Sequence, residues 1–333
     1  MMTRFSLLAT TLLAAAPALA DVNVYTTRQA FLIEPVTEAF TKQTGINVNL
    51  AFVDKGIVER LSAEGARSPA DLVMTVDIAN LKQIADAGVL QPVESDVLEA
   101  AVPDHLQSPD NLWFALTTRA RVVYASKDRV ADGEVTTYEA LTNEKWRGRI
   151  CSRSGVHDYN LALLAAMIAH HGEEYAREWA AGIKENLGRK PQGNDRAQVK
   201  AIWAGECDIS LTNTYYMPAM LADPEQQEWA NAVRIIYPEF EGGGTHINVS
   251  GVGMTRAAPN RDEALQLMEF LVSPEAQEIY AEVNNEFPVL KGANPSELVQ
   301  SWGEFTPDTT DLGTIADLRG KALRIMEEVN FDG

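Results

Sequence analysis

The chain has 333 residues and carries 47 Asp and Glu against 28 Lys and Arg, a formal net charge of −19. Such an acidic surface repels nucleic acid and anionic lipid at long range, so no nucleic-acid partner is expected; solubility explains the acid excess as well as an attraction for cations does. Apolar residues make up 46% of the chain, ordinary for a globular protein, and no low-complexity tract or repeat points to a solenoid.

The N-terminus reads as a cleaved leader, residues 1–20. Met1 to Arg4 form a basic start, Phe5 to Ala16 a mainly apolar run, and Ala18-Leu19-Ala20 a small-residue cleavage site, the three parts of a secretory signal. Asp21 ends the run short of the roughly 18 apolar residues an anchor requires, and no cysteine stands at the cleavage point to take a lipid. Beyond it the longest wholly apolar stretch is Leu161 to Ala169, too short to enter and cross a bilayer. A free, monomeric, periplasmic protein is expected. Its length exceeds the ~250–300 residues at which one hydrophobic core stops growing, so two lobes are expected. In an oxidising compartment the two cysteines, Cys151 and Cys207, form a disulfide by default, worth about 4 kcal/mol by loop-closure entropy. A nucleophilic thiol with His157 as base lacks a third, orienting group.

In chain order, β-branched runs alternate with amphipathic stretches, the pattern of parallel βαβ units in a doubly wound α/β fold. Val22–Tyr25 reads as a strand and 31–44 as a helix with Leu32, Val36 and Phe40 on its apolar face and Gly45 at its C-terminal cap. Strands at 46–52 and 72–76 alternate with helices at 57–63 and 81–87. Two long extended segments, 113–126 and 246–254, break the pattern and read as strands crossing between lobes. Between them lie a strand at 149–152, helices at 160–171, 173–186 and 198–204, a strand at 208–212 and a helix after Tyr215. A helix at 262–272 follows the second crossing, then one restarted by Ser273-Pro274, and a closing helix at 315–329. The expected division is an N-lobe of 21–118 and 249–300, a C-lobe of 119–248, and a C-terminal segment of 301–333 whose lobe the pattern does not identify, the C-lobe being favoured. This is the outline of a two-lobed periplasmic binding protein with two hinge strands, which can close around a ligand.

Asn213-Thr214-Tyr215-Tyr216, with Tyr159 in His157-Asp158-Tyr159-Asn160, is the informative cluster. Both loops follow strands, where open α/β sheets present ligand contacts. A phenol, with a reference pKa of about 10, ligates only a strongly charged cation, and hard oxygen donors suit Fe3+. Paired tyrosines are also common in cores and interfaces, so spacing alone leaves both readings open. His170 and His171, adjacent near a helix end, read as surface residues suited to the helix dipole.

The chain resembles the periplasmic ferric-ion-binding proteins of ABC iron importers over nearly its whole length. The matching stretches include Val24-Tyr25-Thr26-Thr27-Arg28-Gln29, Ser68-Pro69-Ala70-Asp71, Leu116-Thr117-Thr118-Arg119-Ala120-Arg121, Pro191-Gln192-Gly193, Asn213-Thr214-Tyr215-Tyr216 and the run from Gly244 to Gly251. The resemblance implies that Tyr159, Tyr215 and Tyr216 bind Fe3+, which is handed to an inner-membrane ABC permease without catalysis. Some members add an N-lobe histidine and a glutamate; here Gln29 and Val76 hold those places. The chain is instead similar to the branch that binds iron with tyrosines and a synergistic carbonate. Candidates for the carbonate are Arg28, Gln29 and Arg119, with Arg121 a weaker one, since guanidinium recognises planar oxyanions bidentately and a helix start attracts anions. Without the resemblance, Arg119 and Arg121 read as ion-paired hinge residues.

Two other readings compete. A binding protein of the same fold for an organic anion, polyamine or phosphonate would use the aromatic rings as stacking walls. An exported hydrolase finds no support in Gly-x-Ser-x-Gly, His-Glu-x-x-His or phosphate-loop patterns.

Overall fold

The structure, a computed structural model, describes residues 20–53 and 55–333; the leader expected at 1–20 falls, but for Ala20, outside them. Among the described residues nine strands form one sheet: β1 Val22–Thr26, β2 Val48–Phe52, β3 Leu72–Thr75, β4 Phe114–Ser126, β5 Ile150–Cys151, β6 Ile209–Asn213, β7 Val233–Ile236, β8 Ile247–Met254 and β9 Phe287–Pro288. The spatial order is β2-β1-β3-β8-β4-β6-β5, with β7 and β9 also pairing to β4. β1 pairs in parallel with β2 and β3, and β5 with β6. The long β4 and β8 run antiparallel to their neighbours.

β4 organises the molecule. Its first part, through Ala120, pairs with β8, with one register shift between Ala115 and Thr117, while Arg121 to Ala125 pair with β6. All 13 of its residues are buried. One continuous strand therefore serves both halves of a two-lobed α/β fold, and Arg119 and Arg121 flank the point where its partner changes.

Local sequence signals account for most element ends. Helix Ala30–Thr44 stops at Gly45, whose φ of 78° is left-handed and whose N–H reaches the Thr41 carbonyl. Asp77, Asn194 and Ser273 cap the helices that follow them, each side chain accepting a backbone N–H. On helix Ala30–Thr44 Val36 and Phe40 are buried as expected, together with Ile33, whereas Leu32 lines a cleft. The closing helix is two helices, Leu312–Asp317 and Arg319–Glu328, separated at Leu318. The first packs on both Ile78–Asp86 and Asp158–His171, and the second on Asp158–His171 and Glu173–Glu185.

Cys151 in β5 and Cys207, just before β6, are joined by a disulfide with Cα atoms 5.8 Å apart. It staples the two parallel strands from which the candidate site residues emerge. Among the described residues, no helix is long and apolar enough to cross a membrane.

Candidate functional site

A cleft of about 570 Å³ opens between the two halves, and Arg28, Gln29, Arg119, Tyr159, Tyr215 and Tyr216 all line it. The sheet places them there. Tyr159 is the second residue of helix Asp158–His171, beyond the carboxyl end of β5, and Tyr215 follows β6 by two residues. These are neighbouring parallel strands, so their exits converge. The backbone N–H of Tyr159 donates to His157 Nδ1 at 3.2 Å, and the His157 ring lies 4.5 Å from the Tyr159 ring, edge-on.

The three phenols form one group. The Tyr215 hydroxyl donates to the Tyr159 hydroxyl at 2.9 Å, and the Tyr215 and Tyr216 rings lie 4.4 Å apart. Asn213 donates its amide to the Tyr215 oxygen at 3.3 Å. Burial, with Tyr159 and Tyr216 nearby, holds the Tyr215 phenol protonated well above its ordinary range. Burial and then Asp195 push Tyr216 up to about 12. Arg119 and Arg153 oppose these shifts, so the protein supplies positive charge without fully offsetting the cost of a bare phenolate. A trivalent cation would remove that cost.

Arg121 anchors this wall. It is 2% exposed, donates to Asp195 at 2.7 Å, to Asn160 at 2.7 Å and to Asn213 at 3.2 Å. Asp195, fully buried, also receives Arg153. With most of its donors so engaged, Arg121 is an ion-paired positioning group. Asp195 and Arg153 carry no signal in the sequence, whereas Asn213 stands there as the first residue of the tyrosine motif.

On the facing wall Arg28 is buried and ion-paired with Glu286 at 2.7 Å, but its Nε and Nη1 have no partner among the described residues. Glu286, 258 residues away, could not be paired with it by spacing. Gln29 stands exposed at the N-cap of helix Ala30–Thr44 and makes no side-chain capping bond. Arg119 reaches Ser250 at 3.4 Å and also donates to the Val76 carbonyl, so part of its fork joins β4, β8 and the end of β3. Val76 lines the same cleft.

The histidines at the end of helix Asp158–His171 differ from the surface reading. His170 contacts Asp308 at 3.0 Å and His171 contacts Glu139 at 2.6 Å. Adjacent residues on a helix diverge, so each finds its own acid on a different neighbouring segment.

Residues 36–307 match the bacterial extracellular solute-binding protein family. Iron uptake protein A1 of Synechocystis sp. is 44% identical over 315 residues, covering 93% of this chain and 87% of its own. The crystal structure of Mannheimia haemolytica ferric iron-binding protein A in an open conformation is 46% identical, with a TM-score of 0.90 over 95% of this chain and 100% of that one. Trichodesmium IdiA (FutA), solved in complex with iron and citrate ligands, is 41% identical, with a TM-score of 0.89 over 94% of this chain and 99% of that one. Fold, cleft and likeness agree: the chain belongs to the bacterial extracellular solute-binding proteins, within their ferric-iron-binding group.

Proposed function

We propose that this protein is a periplasmic carrier of ferric iron that captures Fe3+ in its cleft and delivers it to an inner-membrane ABC permease. The observation that carries the reading is the 2.9 Å contact between the Tyr159 and Tyr215 hydroxyls beside Tyr216. Three phenols gathered this closely repel one another once ionised, and a shared trivalent cation turns that repulsion into attraction. Iron is cargo, and no bond of it is made or broken beyond ligation, so no catalysis is assigned.

Tyr159, Tyr215 and Tyr216 are the proposed ligands. The unspent donors of Arg28, with Gln29 and Arg119, are the proposed contacts of a synergistic carbonate on the facing wall. That anion would bridge the lobes, giving the closed form the extra affinity that closure requires. On export the residues 1–20 would be removed, and the monomer would meet the permease without entering the bilayer itself or binding nucleic acid.

The test is optical. Phenolate-to-ferric charge transfer colours a solution, so apo protein given ferric citrate and bicarbonate should turn red or orange. Tyr215→Phe or Tyr216→Phe should weaken both colour and retention. A wild-type protein that stays colourless while other transition metals bind equally well would sink the proposal.

A further inference from the structure

The tyrosine wall of the cleft also carries Arg196, which neither the sequence motifs nor the reading above assigns. It is half-buried and sits in the first turn of helix Asp195–Trp203. The arginines around it are engaged: Arg28 with Glu286, Arg121 and Arg153 with Asp195, Arg119 with the Val76 carbonyl. Arg196 has no hydrogen-bond or ion-pair partner among the described residues. In so acidic a chain, an arginine left without a carboxylate in the main cleft is a departure that calls for a ligand.

Its neighbour fixes its place. Asp195 is held by two arginines, and Asn194 caps the same helix through the Ala197 N–H, so the turn bearing Arg196 is anchored on both sides. Across the cleft lie the partnerless Nε and Nη1 of Arg28. Cationic donors therefore stand on both walls, with Glu286 the one acid among the described lining residues. Carbonate, a single small oxyanion, can satisfy one wall beside the metal. An anion with several carboxylates can ligate iron with one and reach separate guanidiniums with others. The cleft's remaining surface suits a carbon skeleton: Phe31 and Val283 on one lip, Pro218 and Ala222 on the other, with Phe31 63% exposed.

We infer that Arg196 is a specificity-determining contact that lets an organic polycarboxylate replace the carbonate proposed above as the anion bound with the metal when both are present. The inference rests on the ferric-carrier reading. Desolvated in the cleft, the guanidinium would gain a charge-assisted bond to an outer carboxylate, which carbonate on the metal has no second group to offer.

The experiment titrates apo protein with Fe3+ in the presence of citrate or of bicarbonate and follows the visible band. The quantity read is the Kd measured with citrate divided by that with bicarbonate. Arg196→Gln should raise this ratio about tenfold, one charge-assisted hydrogen bond's worth. Arg196→Lys, which keeps the charge and loses the planar fork, should recover part of the difference. Lys127→Gln, an equal charge change at an exposed position after β4, should leave the ratio in place. A ratio unmoved by Arg196→Gln, or moved as much by Lys127→Gln, overturns the assignment to Arg196 while the carrier reading stands. Wild-type protein that develops no band with either anion overturns the carrier reading instead.

Discussion

Arg121 and Asp195 form a fully enclosed ion pair, 2.7 Å between Nη1 and Oδ1, 3% and 0% exposed at their side chains, directly behind the tyrosine wall. Removing one partner strands a buried charge, which is far costlier than the pair's net contribution. Arg121→Gln should destabilise the protein by about 3–5 kcal/mol, read as a lower urea midpoint. It should also weaken the visible iron band, because Asn213 and Asn160 lose the donor that orients them. An unchanged midpoint would show that water or Arg153 replaces Arg121 at Asp195.

Tyr215→Phe removes a proposed ligand and the donor to the Tyr159 oxygen. Iron retention against a competing chelator should fall by at least about tenfold, the equivalent of ~1.4 kcal/mol. The fold should hold, because the lost hydroxyl faces the cleft and the ring remains against Tyr216. Thermal denaturation of the apo variant checks the second half of this expectation.

Protons should compete with iron. Burial raises Tyr216 to about 12 and holds Tyr215 well above its ordinary range, so each is protonated in the apo protein at neutral pH and must lose its proton to ligate. Apparent affinity should then rise with pH up to one decade per unit for every phenol deprotonated on binding, measured by titration between pH 6 and 9. The apo fold shows the opposite sign. A raised folded pKa means the contribution of Tyr216 to stability is full below about pH 10 and is lost as pH climbs through about 12.

His246 supplies an acid-side counterpart. It is 2% exposed, its Nδ1 has no partner among the described residues, and burial lowers its pKa to about 4. Because the folded value lies below the unfolded one, its contribution is present above about pH 6.5 and disappears as pH falls through about 4. His246→Leu should flatten the fall in urea midpoint across that window.

Reduction of the Cys151–Cys207 bridge, or Cys151→Ser with Cys207→Ser, should lower stability by about 4 kcal/mol for the 56-residue separation. Thermal melting with and without reductant measures it. The loss should reach the iron band as well, since β5 and β6 carry the tyrosine loops.

What could be read without coordinates was what depends on neighbours in sequence. Gly45, the Ser273-Pro274 cap and the two long extended segments announce themselves through local backbone chemistry, and observed β4 and β8 occupy the places where crossings were expected. The buried face of the first helix is legible at Val36 and Phe40, but Leu32 and Ile33 are equally apolar, and only packing assigns the one to the cleft and the other to the core. The closing helix reads as one because no proline breaks its pattern near Leu318, while the structure divides it there, both parts packing on helix Asp158–His171 but each with a different second partner. Arg28 with Glu286, or Arg121 with Asp195, joins residues too far apart for any spacing rule. At the cleft the tyrosines were visible as a motif; the charges that position them belong to tertiary structure alone.

The unbroken course of β4 bears on how the two halves can change their mutual angle. A hydrogen-bonded backbone accommodates rotation by distributing a small torsion over several residues instead of swivelling at a single bond. In this protein that torsion would be centred on Ala120, with the Arg119 and Arg121 side chains projecting from the same twisting segment. A guanidinium that reaches across to β3 and another that holds the phenolic wall would thus be rotated by one mechanical element, so reshaping the front of the molecule necessarily retunes the charge at its centre.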